Sequence, residues 1–162
     1  MQDTCSNYEW YTGSGDSIQF NEIVGRLRTG ILNGGKIFVG SDSFITKNQV
    51  NFATAICIHG DKAGGRYFFF REKCAKALYK ALIVRMTEEV RRSVDVAEAL
   101  STEHGFMPEH IELHIDVSSH HTKEATSKYS EMLNGYVTGA GFACRVKPYA
   151  WASQTVADRH SK

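Results

Sequence analysis

Apolar and polar positions change period repeatedly along the chain, and each change marks an element. Between Ser17 and Leu32 the residues Ile18, Ile23, Val24, Leu27 and Ile31 recur at helical spacing and stop before Asn33-Gly34-Gly35, which predicts an N-terminal helix. Three apolar runs follow: Lys36 to Gly40, Val50 to His59 and Arg66 to Arg71. Their short links predict an antiparallel meander of strands. From Cys74 to about Glu103 there is no Gly or Pro, and Leu78, Leu82, Met86, Val90, Ala97 and Leu100 trace one long amphipathic helix. Ile111 to Val117 then alternates, with Ile111, Leu113, Ile115 and Val117 on one face and Glu112, His114 and Asp116 on the other, as a strand does. Thr122 to Val137 predicts a helix interrupted by Gly135. Phe142 to Lys147 predicts a strand ended by Pro148, and Ala150 to about His160 a short terminal helix.

The resulting order is an N-terminal helix followed by β-β-β-α-β-α-β-α. That is an α/β layout resembling the ribonuclease H-like fold: a five-stranded mixed sheet with helices on both faces. Residues 1–35 form a polar segment and helix before the main unit, residues 36–162. There are no internal repeats and no low-complexity linker.

Length and charge narrow the class without naming a function. The 162 residues suit one domain. Lys plus Arg number 19 and Asp plus Glu 18, which excludes an acidic disordered tail and a surface coated in basic charge. Cys5, Cys57, Cys74 and Cys144 form no CxxC pair, and no His lies at zinc-finger spacing from them, so reduced structural thiols are expected. The polar start MQDTCSNYEWYTG has no secretory character, and no apolar run approaches the ~20 residues of a membrane helix. The expected location is the cytoplasm, with no membrane partner.

Four carboxylates carry the candidate chemistry. Asp42 closes the first strand, in a Gly/Ser-rich stretch where a turn-former is equally at home. Asp116 ends a strand with a fully apolar opposite face, so its charge needs a cation, hydrogen bonds or a metal; a helix-capping network with Ser118 and Ser119 is the plainer alternative. In the long helix Glu88 shares a solvated face with Arg85, Arg91 and Arg92. Glu89 instead lies on the buried stripe with Leu82, Met86 and Ser93. Asp158 lies in the terminal helix. Carboxylates from a first strand, a crossover helix, a fourth strand and a last helix can converge on one end of a sheet, and hard divalent cations require oxygen ligands of this kind.

The segments Val39-Gly40-Ser41-Asp42-Ser43, Ile111 to Val117, Gly139-Ala140-Gly141-Phe142 with Lys147-Pro148, and Ala152-Ser153-Gln154-Thr155-Val156-Ala157-Asp158 resemble the YkuK-type family of ribonuclease H-like proteins. The resemblance runs from about Lys36 to Lys162, and its last segment is the most specific. It implies the fold and an acidic metal site at Asp42, Asp116 and Asp158 with Glu89, taking Mg²⁺ or Mn²⁺ and serving as both metal ligands and catalytic groups. It brings no settled activity. The Asp-x-Glu of related proofreading exonucleases is absent, since Phe44 stands where the Glu would be, and no hybrid-binding module is evident.

The leading expectation is therefore a metal-dependent phosphodiester hydrolase, a nuclease with RNA or DNA as its partner. Two alternatives stand beside it: a catalytically silent module binding nucleic acid or protein, and a hydrolase of a small phosphorylated molecule. His114, His120, His121 and His160 lie near the four acids in sequence, where a His shuttles protons or simply fills a structural role. Lys123, Lys128, Arg145 and Lys147 are candidates to line a groove, whereas the aromatic run Arg66 to Arg71 reads as core. Setting the four carboxylates aside leaves 14 acids against 19 basic residues, an excess of five positive charges facing a phosphate backbone.

Overall fold

The computed structural model describes residues 3–60, 62, 64–118 and 127–162. The strands are β1 (Trp10–Thr12), β2 (Ser17–Ile18), β3 (Lys36–Ile45), β4 (Gln49–Gly60), β5 (Gly64–Ala75), β6 (Ile111–His114) and β7 (Ala143–Arg145). The helices are α1 (Phe20–Leu32), α2 (Leu82–Thr102), α3 (Ser130–Gly139) and a π-helical stretch, Ala152–Ala157, that runs into the short α4 (Asp158–Ser161). The sheet order is β2-β1-β5-β4-β3-β6-β7. β3, β4 and β5 form the antiparallel meander, while β6 runs parallel to β3 and β7 parallel to β6.

The sheet has seven strands rather than five. The mixed core β5-β4-β3-β6-β7 is present as expected, and the additional pair comes from the N-terminal segment. Its polar residues conceal two short apolar patches, and β1 adds to the edge of β5 with Tyr11 opposite Phe69. Trp10 anchors this hairpin: it is fully buried, donates its indole N–H to the Cys5 carbonyl at 2.8 Å and packs edge-on against Phe70. An aromatic ring buried with its polar atom satisfied is a strong fastener.

Other boundaries moved as well, among them the strand expected over residues 111–117, which ends at His114. β3 continues through Asp42 to Ile45 because Ser41 and Ser43 direct their hydroxyls at partners on α2 instead of forming a turn. β5 continues to Ala75, with Cys74 opposite Val50, so α2 starts at Leu82 rather than near Cys74. α3 starts at Ser130; residues 122–126 of the expected helix lie outside the described residues.

Side-chain parity along the strands sets the layers. Ile37 and Val39 of β3, Ile56 and Ile58 of β4, Phe68 and Phe70 of β5, and Ile111 and Leu113 of β6 face α1, α2 and α3 in the main core. The alternate residues Ala55, Cys57 and Phe69 face the other way, onto Ala152 and Ala157 of the terminal helix. Helices thus cover both faces. The terminal helix sits very close to β3: a Cβ on Gly40 would lie 2.6 Å from the Ala152 carbonyl carbon and the Ser153 nitrogen. Only a residue without a side chain permits that approach.

Candidate metal centre

β3 and β6 run parallel as far as the pair Gly40–His114. Beyond it β3 stays paired with β4, whereas the chain after β6 follows β7: the Ile115 N–H donates to the Arg145 carbonyl at 2.9 Å, and the Lys147 N–H to the Val117 carbonyl at 2.9 Å. The two parallel strands therefore part, and Asp42 and Asp116, each two residues past the last pair, stand at the fork.

Helices deliver the other two carboxylates. Glu89 lies two turns into α2, on the side that packs against β3, and accepts a 2.6 Å hydrogen bond from the Ser43 hydroxyl. Next to it Ser41, buried, bridges Ser93 at 2.8 Å and Thr54 at 2.9 Å, fixing α2 to the strand. Asp158 opens α4 on the opposite face of the sheet. The Asp42 carboxyl lies near enough to those of Glu89, Asp158 and Asp116 for each of them to raise its proton affinity. The four residues expected from the sequence thus lie around the fork, Asp42 being the one that senses the other three.

Their electrostatics follow from crowding. Asp42 is 6% exposed, and its carboxyl is pushed up to about 9 by burial first, then by the charge of Glu89, the hydrogen bond to Asp158 and the charge of Asp116, against the backbone N–H of Ser43. Glu89 is pushed up to about 8, again by burial first; the Ser43 hydroxyl and Arg85 oppose this, and Asp116 adds to it. Desolvated like charges favour the protonated acid. Lysines flank the outer pair: Lys147 Nζ lies 3.0 Å from Asp116 Oδ1, and Lys162 Nζ 3.1 Å from Asp158 Oδ1. The Asp116 Oδ1 atom is shielded from water, and its contact is the Lys147 ammonium rather than a well-formed hydrogen bond.

The donor set is all oxygen, which suits a hard divalent cation. No three of these four place an oxygen each within 4.8 Å of one another. The trio among the described residues that meets that distance is Asp3, Glu103 and His104, beyond the far end of α2. Those three have structural work. Asp3 accepts from the Cys5 N–H at 3.0 Å and contacts the His104 ring at 2.7 Å, and Glu103 accepts from the Thr4 N–H at 3.1 Å, clasping the N-terminal segment to the helix end.

The nearby histidines and cations divide. His114 is fully buried; its Nδ1 accepts the Ala152 N–H at 3.0 Å, and its Nε2 lies 3.0 Å from Glu112 Oε1. Burial holds it below the usual histidine range, so the neutral ring steers the terminal helix that carries Asp158. Burial alone would raise Glu112, yet Lys36 and His114 keep it low, and Arg145 adds a contact at 2.5 Å. Arg145 is thus committed to Glu112, and Lys128 lies over the Tyr129 ring at 5.0 Å. Phe68 and Phe70 are core, as expected. Arg92, expected on a solvated face, is buried between Glu72 and Glu88 and over the Phe52 ring at 4.3 Å. His120, His121 and Lys123 lie outside the described residues. Sequence reasoning did not anticipate Ser43, Gly40 or Ser161, whose hydroxyl donates to Asp42 Oδ2 at 3.4 Å. The Gly-Ser-Asp-Ser run was the only local signal for Gly40 and Ser43, and Ser161 had none.

A family model described as Ribonuclease H-like matches residues 20–162. No curated protein and no solved structure matches the chain significantly. Among the described residues no helix is long and apolar enough to cross a membrane.

Proposed function

Because the chain belongs to the ribonuclease H-like family, we propose that it is a Mg²⁺- or Mn²⁺-dependent phosphodiester hydrolase acting on nucleic acid. The observation that carries this reading is the crowding of buried Asp42 by Glu89, Asp158 and Asp116 where β3 and β6 part. These four would hold the cation, with Asp42 and Asp116 central and Glu89 and Asp158 completing the set from the two faces. When bound, such a cation supplies Lewis-acid polarisation of the phosphate and a more acidic water. The protein's own groups set the stage. Ser43 orients Glu89, Ser161 orients Asp42, and the Lys147 ammonium holds Asp116 in place. Both Lys147 and Lys162 offer positive charge to a phosphate at the rim.

The test is cleavage of end-labelled single-stranded RNA, single-stranded DNA and the matching duplexes in Mn²⁺ and Mg²⁺, together with Mn²⁺ titration by calorimetry. Asp116→Asn is expected to abolish cleavage and weaken Mn²⁺ binding at least tenfold. Unchanged cleavage and binding in this variant overturn the assignment. A second reading, a silent nucleic-acid binding module, draws on the lysines paired with Asp116 and Asp158, since internal cations can stand in for a metal. It predicts oligonucleotide binding that neither Mn²⁺ nor Asp116→Asn alters.

A further inference from the structure

A cleft of about 450 Å³ adjoins the carboxylates on the terminal-helix side of the sheet. Its floor is the exposed face of β4 and β5, with Asn51, Arg71 and Lys73; its outer side is Glu9 and Tyr11 from the N-terminal hairpin, and its inner side is His160 and the residues that follow it. The cleft is continuous with the carboxylate site in two ways. Ser161 lines it while donating to Asp42. Asp42, Ala53 and Arg71 also sit in one row across the sheet, so Arg71 is two strand spacings, roughly 10 Å, from Asp42.

The lining is chemically specific. Arg71 and Lys73 are exposed and make no ion pair among the described residues, although most other cations near the site have acidic partners. Arg71 lies 5.6 Å from the centre of the Phe69 ring, and His160 stacks on the same ring at 3.6 Å and 10°, with its Nε2 3.0 Å from the Tyr67 hydroxyl. The two groups are thus held in place before any ligand arrives. The Asn51 amide oxygen is buried and has no hydrogen-bond partner among the described residues. Paired free cations suit a phosphate, and the fixed aromatic ring, the amide and the Glu9 carboxylate suit the base and sugar. The volume fits a single nucleotide-sized unit, and a base that reaches the His160 ring must be unpaired.

We propose that this cleft is a subsite for one nucleotide of single-stranded nucleic acid, flanking the phosphodiester at the carboxylates. Arg71 and Lys73 take the phosphate, and His160, Asn51 and Glu9 take the nucleoside. The inference rests on the phosphodiesterase reading above and adds strandedness to it. The hairpin wall lies before residue 20, where the family match begins, so the cleft is bounded by a feature of this chain outside the matched region.

The experiment is fluorescence polarisation in EDTA with a fluorescein-labelled single-stranded 12-mer, its duplex as competitor, and wild type against Arg71→Ala/Lys73→Ala. The double variant is expected to keep the wild-type melting temperature, to bind the single strand 10- to 100-fold more weakly, and to lose about 1.4 from the log–log salt slope, as expected for two phosphate contacts on a single strand. The duplex is expected to compete at least tenfold less well than the unlabelled strand. Equal binding by wild type and variant, an unchanged salt slope, or better competition by the duplex overturns the subsite. The two readings fail separately: Arg71/Lys73-dependent binding without any metal-dependent cleavage removes the hydrolase and keeps the subsite, whereas cleavage with an unaltered KM in the double variant does the reverse.

Discussion

Replacing Asp42 with Asn is expected to stabilise the metal-free protein at alkaline pH while removing its response to metal. The Asp42 carboxyl is pushed up from 3.8 to about 9, so the folded state holds a proton that the unfolded chain has released over most of that interval. Its contribution to stability is therefore fully present below about pH 4 and is lost as the pH climbs through about 9. At pH 8 the interval from 3.8 spans roughly four units, and at ~1.36 kcal/mol per unit it corresponds to ~6 kcal/mol. Water entering the fork and rearrangement of Glu89 reduce this to ~2–4 kcal/mol. Asn mimics the protonated acid and can still accept from Ser161, so it removes that loss without opening a cavity. For a chain of this size 1 kcal/mol moves the melting temperature by ~2–4 °C, giving Asp42→Asn an advantage of about 5–15 °C at pH 8 in EDTA, shrinking towards zero near pH 4. Saturating Mn²⁺ should raise the wild type and leave the variant unmoved. The assay is thermal unfolding from pH 4 to 9 with and without Mn²⁺. A pH-independent difference between the two proteins, or a variant less stable at pH 8 in EDTA, would refute the reasoning.

The remaining expectations concern metal linkage, the terminal helix and the hairpin. Mn²⁺ affinity measured by calorimetry should rise from pH 6.5 to 8.5, by up to ~10-fold per unit for each proton displaced from Asp42 and Glu89; equal affinities at the two ends contradict a proton-holding cluster. Gly40→Ala places a Cβ against the Ala152–Ser153 backbone, and should cost ~1–3 kcal/mol in urea unfolding and suppress the Mn²⁺-induced shift by displacing Asp158. Trp10→Ala should cost ~3–5 kcal/mol, since it empties a fully buried site joining the hairpin to Phe70; a loss below 1 kcal/mol means that the hairpin contributes little to the core.

The core topology was legible because each of its elements carries a sustained period. Ile111 to Val117 alternates over seven residues, and the helix centred on Val90 keeps its stripe for several turns. The same stripe singled out Glu89 over Glu88, and the two have different partners: Ser43 for the former, Arg91 and Arg92 for the latter. The hairpin was not legible. Trp10–Thr12 and Ser17–Ile18 are too short to show a period, and only the long-range partner β5 makes them strands. The end of β3 was misplaced for the opposite reason: Gly-Ser-Asp-Ser has turn composition, and tertiary hydrogen bonds from Ser41 and Ser43 override it. The cleft wall was unreadable from sequence, since it joins residues near 9, 71 and 160 that only the folded sheet brings together.

The N-terminal hairpin has one more consequence. Without it, β5 would be an outer strand twelve residues long, with Phe68, Phe69 and Phe70 at its centre and a row of unpaired amides and carbonyls facing outward. Such a border invites edge-to-edge pairing with the same strand of a neighbouring molecule, the first step of aggregation. β1 occupies the stretch at Phe68 and Phe69, and beyond it the sheet ends in a strand of only two residues, Ser17 and Ile18. The hairpin replaces an aromatic template with a border too short to recruit another chain, so its loss should appear as self-association as well as instability.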